Sequence, residues 1–141
     1  MTIDASDRAA VAHFVRVCGS GVVATVGRDG APQVAHIALT ATDEGMLVFD
    51  AASDSREARS IRERPHVAVA VTGADTSVQL EGRARITHDE ERWRLGEACS
   101  ERFPGSRALD AGFEIIAVDV HGVRIHDASE HPPRVIDAAW T

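Results

Sequence analysis

The sequence predicts a mainly β protein, an antiparallel barrel, closed or split, with about seven strands and three helices in one domain over residues 1–141. Three observations carry this reading. Short Val-, Ala- and Ile-rich runs recur between turn residues, as strands do. Thr76–Ile86 alternates strictly, with Val78, Leu80, Ala84 and Ile86 on one face and Ser77, Gln79, Glu81, Arg83 and Arg85 on the other. Only three stretches carry helical signals, and a sheet built from so many short strands removes its exposed edges by closing.

In chain order, Val11, Phe14, Val15 and Cys18 recur at helical spacing behind Ser6 as a cap, predicting an amphipathic first helix. Val22–Val26 and Val34–Leu39 flank Arg28-Asp29-Gly30 and predict a β-hairpin, because Asp-Gly supplies the positive φ that tight turns need. Met46–Phe49 is a third strand. Ser53 to Ile61 opens on capping residues and stops before Pro65, giving about two turns of helix. The free N–H groups and positive dipole end of that helix suit an anion, with Arg56 and Arg59 adding charge. Val67–Val71 is the fourth strand and Thr76–Ile86 the fifth. Thr87-His88-Asp89-Glu90 has capping-box spacing ahead of a helix carrying Leu95, Cys99 and Phe103, which Pro104-Gly105 ends. Ile115–Val120 and Val123–Ile125 complete the count around Gly122, a turn or bulge position.

Composition excludes several classes. A net charge of -7 argues against nucleic-acid binding, which draws affinity from clustered cations. No run approaches the roughly 20 apolar residues of a membrane span, and the N-terminus lacks a signal-peptide pattern, so a cytoplasmic protein is expected. Cys18 and Cys99 lie in helical segments without CxxC spacing and read as buried free thiols. His13, His36, His66, His88, His121, His126 and His131 form no zinc motif, and no metal site is expected. No serine or cysteine has the strand-turn-helix context of an activated nucleophile, which leaves hydrolase chemistry without support. Trp93, early in the third helix, is expected in the core.

Asp29-Gly30-Ala31-Pro32, Ser55-Arg56-Glu57-Ala58, Arg64-Pro65-His66-Val67, Glu81-Gly82-Arg83-Ala84 and the closing strands over Phe113–Asp127 follow one another at a recognisable spacing. In this the chain resembles the pyridoxamine-phosphate-oxidase-like family of FMN-binding split barrels, including its small general-stress-protein branch. The resemblance implies a Greek-key split barrel and a homodimer with FMN at the subunit interface. It implies a flavin-dependent oxidoreductase acting on a small molecule, in which the cofactor brings the chemistry and the protein binds and orients it.

Carried over by motif, Ser55 and Arg56 hold the phosphate, and Asp50 and Ala51 lie beside the ring or ribityl chain. Ala35, His36 and Ile37 come from the second strand and Ser77 from the long strand. Arg59, one turn from Ser55, stands in for a family lysine that is Glu57 here, while the basic positions of the second strand are Ala35 and Thr40. These departures thin the positive cradle. They keep three alternatives open: an F420-dependent reductase, a non-catalytic flavin or haem binder, and a dimeric member without cofactor. His121, His126 and His131 are the histidines a haem would use, and Trp140 is expected at the dimer interface.

Overall fold

The computed structural model describes residues 2–141. Helix α1 (Arg8–Cys18) buries Val11, Ala12 and Val15, as its apolar spacing predicts. Its cap is Asp7 rather than Ser6: the Asp7 carboxylate accepts from the Ala10 N–H at 3.1 Å, while the Ser6 hydroxyl donates to Asp4. The aspartate wins because its oxygen sits one residue nearer the unpaired N–H groups of the first turn. Gly19 ends the helix at φ 73°, a conformation that side-chain-bearing residues resist.

Strands β1 (Ser20–Val26) and β2 (Pro32–Ala38) form the expected hairpin. A two-residue strand, β3 (Thr40–Ala41), pairs with β4 (Leu47–Ala52). Helix α2 (Arg56–Glu63) leads to β5 (His66–Thr72) and β6 (Thr76–Ile86). Helix α3 (Asp89–Arg102) precedes the long β7 (Phe113–Asp127), and β8 (Arg134–Ala139) closes the chain. The sheet runs β2-β1-β5-β6-β7-β4-β3, entirely antiparallel, with β8 added to the second half of β7. Three consecutive strands, β5 to β7, with β4 returning beside β7, make the Greek-key order. No ladder joins β2 to β3 or β4, so the barrel is split along that seam.

The inner faces meet in one core that includes Val23, Leu39, Phe49, Val69, Val78, Leu80, Ile116 and Ile125, with α1 and α2 packed on it. A smaller cluster, Val48, Leu95, Cys99, Ala108, Ile115 and Ala117, lies where α3 covers the outer face of β4 and β7.

Further expectations change. The two runs around Gly122 are one strand, β7, whose pairing with β6 shifts between Glu81 and Gly82 and leaves His121 as the extra residue of a bulge. At that point the strands approach so closely that a Cβ on Gly82 would fall 2.4 Å from the Asp119 carbonyl oxygen, which only glycine permits. Arg134–Ala139 and the two-residue β3 are strands beyond the expected runs, so eight strands stand among the described residues. Thr87 does not form a capping box: its hydroxyl donates to the Ile115 carbonyl at 2.8 Å, and α3 starts behind His88 with no side-chain cap. The competing β7 carbonyl offers a buried partner, whereas the helix start is wet and carries Asp89, Glu90 and Glu91 against the dipole instead. Trp93 is 58% exposed on α3, whose buried stripe is Leu95, Gly96 and Cys99.

Trp140 packs inside its own chain. It is 5% exposed, its indole N–H donates to the Ala5 carbonyl at 2.8 Å, and its backbone N–H donates to the His121 carbonyl. The Arg8 guanidinium lies 4.8 Å from the ring centroid, and Gly45 lacks the Cβ that would sit 2.5 Å from the ring.

Candidate cofactor site

The seam between β2 and β4 brings two strand edges face to face. β2 pairs only with β1, and the Phe49–Ala52 half of β4 pairs only with β7, because β3 reaches no further than Val48. Their outer N–H and C=O groups have no ladder partner, which is the arrangement a planar, polar-edged ligand uses. Helix α2 stands at one end of the seam. Ser55 caps it, its hydroxyl oxygen accepting from the Ala58 N–H at 3.2 Å, so the Arg56 and Glu57 N–H groups stay free at the dipole's positive end. Arg56 is exposed and its guanidinium reaches across to the Val34 carbonyl on β2 at 3.4 Å. Arg59 is also exposed, one turn further on, and takes part in no ion pair among the described residues.

The other helix-face charges are engaged. Arg62 donates to the Ser53 carbonyl at 2.8 Å and to Glu114 at 3.2 Å. Arg64 donates through Nε to the Val26 carbonyl at 2.7 Å and pairs with Glu63, which also holds Arg28 at 3.1 Å. Hydrogen bonds from Arg64 and Arg28 hold the Glu63 carboxyl below its usual range. Gln33, Arg28 and Arg64 belong to this surface although no site role was expected of them: the hairpin folds against α2, and the Ser60 hydroxyl donates to Gln33 Oε1 at 3.3 Å. Arg28 stands in the hairpin turn and Arg64 in the Arg64-Pro65-His66-Val67 motif, neither of which marks a ligand contact.

The positions named by motif divide between the two faces of their strands. Ala35 and Ile37 face inward, opposite Val23 and Gly21, and line the seam's inner side. His36 faces outward opposite Val22. Ala51 is buried in the main core, whereas Asp50 points to the opposite side, under α3. Ser77 is half-buried opposite Thr72 at the far end of β5, roughly 20 Å along the strand from where α2 hands over to it. Ser55, Arg56 and Arg59 thus share the start of α2, which Arg56 links to β2 at Val34, while Ala35, Ile37 and Ala51 lie on the inner faces of β2 and β4, in or against the main core; His36, Asp50 and Ser77 point elsewhere. His121, His126 and His131 form no cluster either. The first two are five residues apart on β7 and the third lies beyond its end. Among the described residues no group of three His, Cys, Asp or Glu side chains could hold a metal ion.

Asp50 has its pKa raised by burial, and Cys99 beside it has its thiol pushed up to about 11 by burial and by the Asp50 charge. A thiol whose folded pKa exceeds its unfolded value favours folding fully below the unfolded value and loses that contribution as pH rises to the folded one. Stability should therefore fall by roughly 2 kcal/mol between pH 9 and 11. The chain contains neither tyrosine nor lysine, so thiols dominate titration in that window. Urea unfolding at pH 8 and pH 10.5 checks this, and Cys99→Ala should remove most of the difference.

The family model for pyridoxamine 5'-phosphate oxidase matches residues 8–127. The chain belongs to that family. Solved structures share its fold at low identity. A haem-binding protein from Mycobacterium smegmatis superposes with a TM-score of 0.79 at 16% identity, covering 99% of this chain and 59% of its own. A pyridoxamine 5'-phosphate oxidase-related, FMN-binding protein from Nostoc punctiforme gives 0.67 at 15% identity, covering 93% of each chain. An F420 reductase gives 0.65 at 24% identity, covering 79% of this chain and 93% of its own. No protein with a curated description matches significantly. Structures of this fold thus include proteins described as FMN-binding, as an F420 reductase and as haem-binding, and the family match does not single out the general-stress-protein branch. Among the described residues no helix is long and apolar enough to cross a membrane.

Proposed function

We propose that this member of the family is an FMN-dependent oxidoreductase that seats the flavin in the seam between β2 and β4 and acts on a small organic substrate. The observation that supports it best is Arg56, which starts at the open N-terminus of α2 and reaches the unpaired β2 edge at Val34. Arg56, Arg59 and the free N–H groups of α2 fit a phosphate dianion. The edges of β2 and of Asp50–Ala52 fit the polar rim of an isoalloxazine ring. Bound FMN would supply hydride and electron transfer; the chain supplies position, charge and exclusion of water. Glu57 opposes the phosphate charge, and Arg59 offsets it from the same turn.

The same reading makes the working form a homodimer in the cytoplasm. Val22, Ala24, Val34, Ala68 and Ala70 are register neighbours on the outward face of β1, β2 and β5, with Val34 62% and Val22 37% exposed. Such a face is covered favourably by a second copy. His36 and Ser77, which point away from the seam within one chain, would reach a flavin only across that interface. Sedimentation velocity should give the dimer mass.

The test is retention of cofactor after incubation with FMN, F420 or haem and desalting, read in the visible spectrum. Wild type should retain flavin, and Arg56→Ala should weaken FMN at least about tenfold, the value of one charge-assisted hydrogen bond. Its thermal stability should be unchanged, since Arg56 is exposed. Wild-type protein that retains no flavin, or an Arg56→Ala protein that holds it equally well, overturns the assignment. Turnover with a nicotinamide reductant then separates an enzyme from a carrier.

A further inference from the structure

The cationic surface beside the seam is larger than one phosphate uses. A groove of about 410 Å³ runs along α2 from Arg56 to the hairpin turn, lined by Arg28, Arg56, Arg59, Arg62 and Arg64, with Glu63 as its single carboxylate. A third of the chain's 15 cationic side chains line this one groove of a molecule whose net charge is -7. All 15 are arginines, whose planar forks bind phosphate oxygens in pairs. From Arg56 to Glu63 the helix advances about 10 Å, roughly twice the width of a phosphate. Gly27 leaves room at the far end, since a Cβ there would come within 2.7 Å of the Gln33 amide nitrogen and 3.2 Å of the Asp29 carboxylate, which is itself held by the Ala31 N–H at 3.0 Å. Gln33 Oε1 is occupied by the Ser60 hydroxyl, which leaves that nitrogen as a donor toward Gly27.

We propose that the far half of this groove, built by Arg28, Arg64 and the Gln33 amide, seats a second anionic group, carried on the ligand whose first phosphate lies at Arg56 and Arg59. The inference rests on the flavin reading for the position of that first phosphate; the second seat is defined by the groove itself. The chemistry is that of a diphosphate linkage or an acidic tail, so beside FMN the groove has room for a diphosphate-linked flavin dinucleotide or a carboxylate-tailed deazaflavin. Glu63 now bridges Arg28 and Arg64 at 3.1 and 2.9 Å, and an incoming polyanion takes its place on both.

Calorimetric titration of the full chain with orthophosphate and with pyrophosphate, at low and high salt, tests the seat without any flavin. Pyrophosphate should bind at least about tenfold tighter than orthophosphate at low salt, and the preference should shrink as salt screens it. Arg28→Ala should bring the two anions to within about twofold. Glu63→Gln, which removes the competing carboxylate, should tighten pyrophosphate several-fold, a gain that no folding defect produces. Equal binding of the two anions, or a preference that neither substitution moves, overturns the proposal. Parallel titrations with FMN, FAD and F420 distinguish the sources: FAD above FMN assigns the diphosphate, and F420 above both assigns the acidic tail. FMN retained without any pyrophosphate preference leaves the flavin site standing and removes the second seat. The pyrophosphate pattern in a protein that retains no flavin does the reverse.

Discussion

Trp140→Ala should destabilise the protein by about 3–5 kcal/mol, the cost of removing a large buried aromatic side chain, and lower the melting temperature by roughly 10 °C. The ring fills the space between the N-terminal segment at Ala5, the Gly45 turn and the Arg8 side chain, so its loss opens a cavity against three separate parts of the chain. Arg8 also donates to the Thr141 carbonyl at 2.8 Å, and that contact should loosen with the ring. Trp140→Phe separates the two contributions. It keeps most of the buried area and leaves the Ala5 carbonyl without its donor, which should cost about 1–2 kcal/mol. Chemical denaturation of the three proteins checks the order. A Trp140→Ala protein as stable as wild type would show that the C-terminal segment does not close the fold.

Phe49→Ala should cost a similar amount, about 3–5 kcal/mol, because Phe49 is fully buried at the centre of the main core. Its effect should extend to the cofactor. Phe49 is the first residue of β4 beyond its β3 partner, and its packing fixes the edge formed by Asp50, Ala51 and Ala52. Flavin affinity should therefore fall in Phe49→Ala at temperatures where the protein is still folded. Phe49→Leu, which conserves most of the volume, should lose markedly less of both. Denaturation midpoints together with flavin titration measure the two effects on one sample.

The contrast between β6 and β8 shows what made elements legible. Thr76–Ile86 alternates along its length because one face meets the core and the other meets water. Arg134–Ala139 carries little of that pattern, since it is an edge strand laid on β7 with much of its surface wet, and its pairing partner alone makes it a strand. The single β7 was hidden for a related reason. A bulge at His121 breaks the alternation locally, and only the opposing register of β6 shows that the ladder continues.

The site divides in the same way. The placement of Ser55, Arg56 and Arg59 at the start of α2 was legible because a cap and a one-turn spacing are local properties of the helix. Asp50 and Ala51 were named together, yet adjacent residues of a strand point to opposite faces, and only one of them can serve a given site. Arg28, Gln33 and Arg64 were not legible as a group, since the hairpin must first fold onto α2 to bring them together.

By itself, the sequence determined the β-dominated class, the three helices, the hairpin and the cap of α2, all of which depend on residues within about one turn or one strand pair of each other. The tertiary structure alone decided where the barrel splits, which face of each strand the site receives, that Trp140 closes its own chain, and that a third of the arginines share one groove. The physical reason is range. Caps, turns and periodicity act between near neighbours along the chain, whereas a seam, a cavity or a field of charge is made by segments that meet only after the core has formed.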